Sequence, residues 1–468
     1  MNRRNFIKTT SAAVAGSAMT SALQGQSHNS AEEKPNILFI MTDQQHAGMM
    51  SCTGNPWLNT PALDSLARDG VRFTRAYAAN PVCSPSRISM ATGMMPGRVG
   101  AFDNGSAKEV KSLPAELQAN SMGMLMKRAG YETFYGGKVH MTPDLVPVKA
   151  GYDEYFRDER EKLPGACVKF IQQKRNRPFF AVASFINPHD ICFAYNAYAK
   201  REKMMPGVNK LYEQASKLPL SELPPLPDNF EVPDKEPDAI EANKSDAAVT
   251  PSGIMRETYD EREWRMYRWI YCRLTEEVDS HIGQILDGLR ESGQEDNTLV
   301  LFVSDHGDMD SCHRLASKGL FYEESVGVPL IMRYPGHIPG GKTRNALINT
   351  GLDILPTFCE YAGLEKPGHL PGHSLKPLAE GKRSEPPRSF VASENYFTRM
   401  IRSERYKYCA YDQGKLKESL YDMEKDPGEM QNLVTDKKHK SLLQEHRALL
   451  KEWVHRTSDN EGAGYLLG

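Results

Sequence analysis

The order of hydrophobic and polar residues distinguishes two kinds of segment, which alternate along this chain. Short, almost continuously apolar runs, typical of strands buried on both faces, occur at residues 35–45, 178–185 and 297–304. Other segments carry apolar residues at helical spacing, most clearly residues 262–293. Because buried strands alternate with amphipathic helices, the pattern predicts an α/β fold with a doubly wound, mostly parallel sheet.

The same patterns predict the remaining elements and two changes of character. Strands are predicted at 71–79, 131–138 and 328–333, and helices at 61–70, 113–130, 352–363 and 441–455. Residues 195–257 are rich in proline and charge with weak periodicity, which indicates a long insertion in the catalytic domain. Residues 389–411 read as strand pieces rich in Tyr and Arg, and they predict a small antiparallel C-terminal subdomain.

The first residues read as a targeting segment. Arg3 and Arg4 precede a weakly apolar stretch at residues 11–23, an arrangement that resembles a twin-arginine export signal. A basic N-terminal arm is the alternative. The predicted organisation is therefore a signal peptide (1–30), a catalytic domain (31–368) and a C-terminal α+β subdomain (369–468). Export by the twin-arginine translocase predicts a periplasmic or secreted protein.

Overall composition excludes some functional classes. The chain has 468 residues, 40% of them hydrophobic, and a formal net charge of -2, which disfavours a nucleic-acid binder. It has no run of 18 apolar residues, so no membrane span is predicted. The eight cysteines are scattered without a C-x-x-C pair, so we expect mostly reduced core thiols and no zinc site.

Polar side chains follow four of the predicted strands. In open α/β sheets the carboxyl ends of the strands form the ligand-binding edge. Each residue alone has a structural explanation, such as a helix cap or a solvated side chain, but together they predict one site. Carboxylates, an amide and an imidazole suit Ca²⁺, Mg²⁺ or Mn²⁺, and nearby cations suit the oxyanion of sulfuryl or phosphoryl transfer. The residues at these strand ends are Asp43, Gln44, Lys138, His140, His189, Asp305 and His306.

A cysteine in a Ser/Pro loop, Cys83, has three interpretations. It is a buried core thiol, a thiolate whose pKa is lowered by Arg87 and a helix N-terminus, or a residue that is chemically converted. Tyrosine-phosphatase-type loops place their arginine six residues after the cysteine. Here that position is Ser89, which disfavours the thiolate.

The segment Cys83-Ser84-Pro85-Ser86-Arg87, which runs on to Thr92-Gly93, resembles the C-x-P-S-R…T-G signature of type I sulfatases in the alkaline phosphatase superfamily. The resemblance covers roughly residues 34–425. It implies an alkaline-phosphatase-like α/β/α sandwich with a large mixed, mostly parallel sheet and a small C-terminal antiparallel sheet. Supporting matches are Ile37 to Gln44, Gly137 to His140, Asn187 to His189, Ser304 to Gly307, Ser317 to Gly319, Tyr322-Glu323, Leu420 to Asp422, Asp426-Pro427 and Asn432-Leu433.

The resemblance also implies a nucleophile. Cys83 would be oxidised to formylglycine by a formylglycine-generating enzyme or an anaerobic sulfatase-maturating enzyme. One hydroxyl of the hydrated aldehyde attacks sulfur with help from Asp305, and the other then expels sulfate from the sulfated hemiacetal. Arg87 and Lys138 would hold the hydrate, and His140 would act as base. The residues implied to bind the sulfate oxygens and to protonate the leaving group are His189 and Lys318.

The implied metal ligands are Asp43, Gln44, Cys83 in its converted form, Asp305 and His306. Many family members have Asp-Asp and Asp-Asn pairs where this chain has Asp43-Gln44 and Asp305-His306. The Gln and His variants resemble choline-sulfatase-like, certain polysaccharide-sulfatase and phosphonate-monoester-hydrolase branches. Ca²⁺ is the expected ion, and Mn²⁺ or Mg²⁺ remains an alternative.

Substrate contacts are expected from three more residues. Arg98 and Asn104 follow the signature helix, and His313 precedes Lys318 on the same loop, although a surface role for Arg98 and a capping role for His313 stay open. The leading hypothesis is an exported sulfuric ester hydrolase that removes O-sulfate or N-sulfate from a sulfated carbohydrate. The alternatives are a phosphonate monoester hydrolase or phosphodiesterase, a choline-sulfatase-like enzyme, and a non-catalytic binder of sulfated glycans.

Overall fold

An eight-stranded sheet forms the centre of the structure, a computed structural model that describes residues 34–198, 205–243, 252–383, 388–459 and 461–467. Its strands are β1 Asn36–Asp43, β2 Val71–Tyr77, β3 Glu132–Gly137, β4 Glu154–Phe156, β5 Phe179–Pro188, β6 Thr298–Ser304, β7 Leu330–Arg333 and β8 Lys342–Asn349. Their spatial order is β4-β3-β5-β1-β6-β7-β2-β8. Neighbours are parallel, except that β7 runs antiparallel to β6 and β2.

Helices connect these strands and cover both faces of the sheet. None in the described part of the chain is long and apolar enough to cross a membrane. The predicted signal peptide lies outside the described residues. The described helices are α1 Pro61–Asp69, α2 Cys83–Thr92, α3 Asn104–Glu109, α4 Ala115–Ala119, α5 Met122–Arg128, α6 Leu163–Ile171, α7 Ile191–Tyr198, α8 Pro206–Lys217, α9 Asp238–Asn243, α10 Ser252–Thr258, α11 Glu261–Glu291, α12 Glu323–Val326, α13 Thr350–Tyr361, α14 Lys376–Ala379 and α15 Lys440–Thr457.

The central strand β1 shows how the sequence produces three layers. Its side chains alternate between the two faces, as strand geometry requires. Phe39 and Met41 join the core that includes residues of α2, α5 and α13, whereas Leu38 and Ile40 join the core with α1, α6 and α11. Because both faces are covered, the five residues from Ile37 to Met41 are all apolar. The predicted α/β/α sandwich is confirmed.

A second sheet of four antiparallel strands follows, as predicted. Its strands are β9 Phe390–Glu394, β10 Thr398–Ser403, β11 Tyr406–Tyr411 and β12 Glu418–Asp422, in the order β12-β11-β10-β9. On one face Ile401 and Tyr408 pack in a core with Trp453 of α15. On the other face Met400 and Tyr421 share a core with residues of the main sheet and its loops. The sequence-based boundary between residues 368 and 369 stays a prediction.

Some element predictions differ from the structure. The helix predicted at 113–130 is two helices, α4 and α5, separated at Asn120 and Ser121, because an Asn ends the first and a Ser begins the second. Strand β8 was missed, since its first half is polar and largely exposed. The described parts of the insertion at 195–257 include α8 and α10, whose apolar residues pack with those of α11, and α9, whose Ala239 and Ile240 lie in a core with residues of the second sheet.

Candidate active site

Four neighbouring parallel strands end at the same edge of the main sheet. In the order β3, β5, β1 and β6, they are followed or terminated by Lys138, His189, Asp43 and Asp305. All four strands are hydrogen-bonded in parallel register. The prediction that these residues leave one edge of the sheet is therefore confirmed.

Cys83 is the first residue of α2, so it lies where the helix presents its free N–H groups and the positive end of its dipole. The helix ends at Gly93, which adopts a left-handed conformation with φ 69°. The hydroxyl of Ser84 donates to the carbonyl of His140 at 2.7 Å, and that of Ser86 to the carbonyl of Asp305 at 2.6 Å. These bonds fix the start of α2 against the strand ends.

Arg87, one turn further along α2, is completely buried between two carboxylates. Its Nη2 is 2.9 Å from Asp43 Oδ2, and its Nε is 2.7 Å from Asp305 Oδ2. Its Nη1 donates to the Lys138 carbonyl at 3.0 Å and to Ser184 Oγ at 2.7 Å. One guanidinium therefore holds an Oδ2 of each carboxylate. Asp43 Oδ1 faces the Cys83 thiol at 3.5 Å, and Asp305 Oδ1 accepts from the backbone N–H groups of Gln44 at 3.1 Å and His306 at 2.8 Å.

Four potential metal-ligand atoms converge beside this arginine. Oxygens of Asp43 and Asp305, Sγ of Cys83 and a ring nitrogen of His306 all lie within 4.8 Å of one another. His306 Nε2 is 3.2 Å from Cys83 Sγ and 3.5 Å from Asp305 Oδ1. His306 Nδ1 lies 2.8 Å from the carbonyl of Gly307. A neutral ring with its proton on Nδ1 donates there and turns the lone pair of Nε2 toward the group, whereas a protonated ring adds a cation beside Cys83.

This donor set fits a divalent cation. The two carboxylates suit Ca²⁺, Mg²⁺ or Mn²⁺, and the imidazole of His306 shifts the preference of the site toward Mn²⁺. All four side chains are buried, so their charges are not screened by water. The thiol sulfur marks the place that an oxygen on a converted residue 83 would take.

Cations surround the same atom of residue 83. Lys318 Nζ lies 3.0 Å from Cys83 Sγ, and Lys138 Nζ lies 2.6 Å from Asp43 Oδ2. Burial and the Asp43 carboxylate raise the pKa of the Cys83 thiol, but Lys138, Lys318 and His306 outweigh them and lower that pKa well below its ordinary value. The pocket therefore stabilises an anion at residue 83.

Gln44 bridges this pocket to the residues behind it. Its Nε2 donates to Asp308 Oδ2 at 2.7 Å, and its Oε1 accepts from Lys318 Nζ at 2.6 Å and from the Cys192 thiol at 3.3 Å. Asp308 is in turn bonded by the hydroxyl of Tyr267 at 2.8 Å. These contacts hold Gln44 Oε1 beside Lys318, and its assignment as a metal ligand stays a prediction.

Buried, unpaired ring nitrogens occur in four histidines of the described residues, and two of these, His140 and His189, follow strands that end at this edge. Nδ1 of His140 and Nδ1 of His189 are buried, and neither has a hydrogen-bond partner within the described residues. The His140 carbonyl is tied to the first turn of α2, and His189 Nε2 lies 3.9 Å from Cys192 Sγ. Buried polar atoms normally find partners, so these two indicate positions for substrate or water.

The three predicted substrate residues lie elsewhere or serve other contacts. Asn104 Oδ1 accepts from the N–H of Ser84 at 3.0 Å, so it caps the start of α2. Arg98 lines a small cavity with Glu394 and Asp459, and none of the four ligand residues of the cluster lines that cavity. The structure thus does not bring Arg98 to the cluster.

His313 is buried against Tyr322, with the two ring centroids 4.0 Å apart. Burial, and to a smaller extent Arg256 and Lys407, lower the pKa of His313 to about 3, so the ring is neutral at physiological pH. Its backbone N–H donates to the Asn229 carbonyl at 2.7 Å. These contacts belong to the layer between the two sheets and give His313 a packing role.

The sequence reasoning missed residues that hold the site from behind. Ser184 bonds Arg87 and also donates to the Lys138 carbonyl at 2.8 Å. In the sequence, Ser184 could have been noticed as a small polar residue inside the apolar strand β5. Asp308 and Tyr267, which orient Gln44, had no such signal, since the contact joins residues 41 positions apart.

Comparison with known proteins decides the family. The family model named Sulfatase matches residues 35–364, which is most of the chain. The chain belongs to the sulfatase family. The C-terminal model of N-sulphoglucosamine sulphohydrolase matches residues 311–456 of this sulfatase. The predicted membership of the alkaline phosphatase superfamily is confirmed.

Relatives extend this similarity over nearly the whole chain. The sulfatase is 32% identical to a Delta 4,5-hexuronate-2-O-sulfatase of Bacteroides thetaiotaomicron, over 92% of this chain and 91% of that enzyme. It is 28% identical to a choline-sulfatase of Rhizobium meliloti, over 86% and 82%. A solved 2-O GAG sulfatase superposes with a TM-score of 0.80 at 30% identity, over 92% and 94% of the two chains. The protein is an enzyme that hydrolyses sulfate esters.

Proposed function

We propose that this sulfatase removes sulfate from a sulfated carbohydrate with a formylglycine formed from Cys83, and that Ca²⁺ is its ion. The observation that carries the proposal is the group of four ligand atoms within 4.8 Å, which includes the side chain of residue 83. That group lies at a helix N-terminus and beside two lysines, so the same pocket binds a cation and an oxyanion.

A carbohydrate substrate is supported by what the relatives act on. They include the hexuronate-2-O-sulfatase, an N-acetylglucosamine-6-O-sulfatase of Bacteroides thetaiotaomicron at 26% identity, and an ulvan-active sulfatase of Formosa agariphila at 28% identity. The buried pocket has several donors and a charged floor, which suits a polar, anionic substrate.

The chain's own residues form two groups with different roles in the reaction. Formylglycine supplies an aldehyde hydrate as nucleophile, and the divalent cation supplies charge stabilisation. Arg87 and Lys138 lie on the side of Asp43, where they offset the negative charge of the carboxylates and of the attacking hydroxyl. We assign the role of base to His140, whose carbonyl accepts from Ser84 in the first turn of α2 and whose Nδ1 has no partner within the described residues.

Lys318 and His189 form the second group. Gln44 Oε1 contacts both Lys318 Nζ and the Cys192 thiol, and Cys192 lies 3.9 Å from the His189 ring, so the lysine and the imidazole are neighbours. Lys318 binds a sulfate oxygen, and His189 donates a proton to the oxygen of the leaving alcohol.

Turnover of a substrate panel tests the proposal. Matured enzyme would be assayed with a 2-O-sulfated unsaturated uronate disaccharide, 6-O-sulfated N-acetylglucosamine, choline sulfate, an aryl sulfate, a phosphodiester and a phosphonate monoester. We expect the highest kcat/KM on a sulfated saccharide. Faster hydrolysis of the phosphorus esters or of choline sulfate would refute the carbohydrate assignment.

Mass spectrometry tests the nucleophile. The peptide that contains Cys83 from active, natively matured enzyme should be about 18 Da lighter than the unmodified peptide, because a carbonyl oxygen replaces SH and H. An unmodified thiol in fully active enzyme would disprove the formylglycine mechanism. Metal analysis of the same sample should give Ca²⁺ near one equivalent, and Mn²⁺ in its place would correct the ion.

Export is part of the same proposal. The Arg3-Arg4 pair and the weakly apolar stretch behind it support transport of the folded, matured enzyme by the twin-arginine translocase. Replacing both arginines with lysine should leave active enzyme in the cytoplasm. Unchanged export of that variant would exclude the twin-arginine signal.

A further inference from the structure

The connection between β9 and β10 of the small sheet contacts the loop that carries Lys318. Asn395, fully buried in this connection, donates from Nδ2 to the carbonyl of Gly319 at 2.7 Å. Its Oδ1 accepts from the N–H groups of Phe397 at 3.1 Å and Thr398 at 2.9 Å. Two donors face the oxygen and a carbonyl faces the nitrogen, so only one orientation of the amide satisfies all three bonds.

The loop that Asn395 contacts has an unfavourable backbone. Ser317 and Gly319 both lie in the left-handed region, with φ 70° and 91°, which a non-glycine residue adopts only where other contacts hold it. Two bonds come from the catalytic domain: Met309 N–H to the Ser317 carbonyl at 2.8 Å, and Gly319 N–H to the Pro81 carbonyl at 3.1 Å. The third is the bond from Asn395.

Strand β9 also borders the segment that leads to Cys83. The backbone N–H of Glu394 donates to the Ala79 carbonyl at 3.0 Å, and the hydroxyl of Ser393 donates to the Ala78 carbonyl at 2.6 Å. The end of β9 therefore contacts the backbone on both sides of the pocket: the approach to residue 83 and the loop of Lys318.

We infer that Asn395 is a positioning residue for sulfate-ester hydrolysis. Through Gly319 it sets the place of Lys318, whose Nζ lies 3.0 Å from Cys83 Sγ. The small sheet thus takes part in catalysis through one buried amide and does not only stabilise the fold. The inference rests on the proposed role of Lys318 in binding the sulfate group.

Asn395→Asp is the direct test, because the side chain keeps its size and the oxygen that closes the turn. It loses the Nδ2 donor and places an oxygen against the Gly319 carbonyl. A matched control exists in Asn432, a buried asparagine that follows β12. Its Oδ1 also accepts from two backbone N–H groups and its Nδ2 donates to two carbonyls, those of Lys235 at 3.0 Å and Glu418 at 3.1 Å.

Asn395→Asp should lower kcat on a sulfated saccharide about 10- to 100-fold, with a smaller change in KM, because a displaced Lys318 no longer matches the transition state. Asn432→Asp should lower the melting temperature to a similar degree but leave kcat within about threefold. Equal kcat losses in the two variants would overturn the inference. Asn395→Ser, whose hydroxyl can close the turn but is too short to reach Gly319, gives the same comparison if the aspartate variant does not fold.

A double-mutant cycle with Lys318→Ala separates positioning from general damage. Because Asn395 acts through Lys318, Asn395→Asp should change the residual kcat less than about threefold in the Lys318→Ala background. The same loss in both backgrounds would contradict the inference. Wild-type enzyme without turnover of any sulfate ester would instead contradict the proposed function, so the two failures are distinguishable.

Discussion

Two clusters of buried charge lie within this sulfatase, and they are built differently. The catalytic cluster contains Asp43, Asp305, Arg87, Lys138 and Lys318, with three cations and two carboxylates. The carboxylate oxygens, Cys83 Sγ and a ring nitrogen of His306 lie within 4.8 Å of one another. The excess positive charge and the grouped ligand atoms suit the substrate anion and the metal cation of the proposed function.

The second cluster, called the docking cluster here, lies at the contact between the two sheets. Its charges are balanced by other side chains of the same cluster. Lys407 Nζ lies 3.0 Å from Glu323 and 2.7 Å from Glu429, and Arg402 Nε lies 3.0 Å from the hydroxyl of Tyr77. Two cations thus face two carboxylates. The same kinds of hydrogen bond and ion pair hold the two sheets together in the docking cluster and, in the proposed function, prepare a reaction in the catalytic cluster. The difference is whether any charge or lone pair is left for a ligand.

The largest effect is expected from residue 83. Cys83→Ala should lower turnover by at least about 10⁴-fold, because the nucleophile is lost, while thermal unfolding stays close to wild type. The matched control is Cys359→Ala in the core of α13, which should keep turnover and lose about 1–2 kcal/mol of stability to a small cavity. Retained turnover with lowered stability in Cys83→Ala would instead identify a packing cysteine.

The docking cluster should respond in the opposite way. Lys407→Met leaves the buried Glu429 and the partly exposed Glu323 without their common cation, so the free energy of unfolding should fall by about 3–5 kcal/mol. The kcat of the folded fraction should stay within about threefold. Arg87→Met, which strips Asp43 and Asp305 in the same way, should lose both stability and turnover. Denaturant unfolding and steady-state assays of both variants distinguish the two clusters. An equal loss of kcat in Lys407→Met and Arg87→Met would contradict the difference between them.

A smaller effect concerns Glu394, buried where β9 meets the loop after α2. Burial, together with Asp459, raises the pKa of Glu394 from 4.5 to about 7. The native state therefore binds this proton more tightly than the unfolded state, and stability should fall by about 3 kcal/mol as pH rises from about 4.5 to 7. Glu394→Gln stays neutral and can still accept from the Gly97 N–H, so this contribution to the slope should disappear.

Denaturant unfolding between pH 4.5 and 8 measures that slope. Glu418→Gln is the control, since Glu418 in β12 is paired with Arg447 at 2.6 Å and its replacement removes an ion pair without touching Glu394. It should lower stability and keep the slope that Glu394 produces. A Glu394→Gln variant with the wild-type slope would show that another group titrates.

The sequence by itself determined the layers and the strand ends that form the candidate site. Apolar runs such as residues 36–42 report burial on both faces, and burial on both faces in an alternating α/β chain leaves few topologies. Asp43, Lys138, His189 and Asp305 could be predicted because each follows a strand directly. The identity of the chemistry came from the Cys83 signature and not from spacing.

Only the tertiary structure decided which side chains hold that site in place. Asn395 reaches Gly319 across 76 residues, and Arg87 reaches Asp305 across 218. Periodicity reports whether a side chain is buried, but it does not report which distant loop lies against it. For the same reason Arg98 and His313, close in sequence to catalytic residues, lie in other contacts. The buried amide of Asn395 can influence the active site only because folding brings the loop of Lys318 against it.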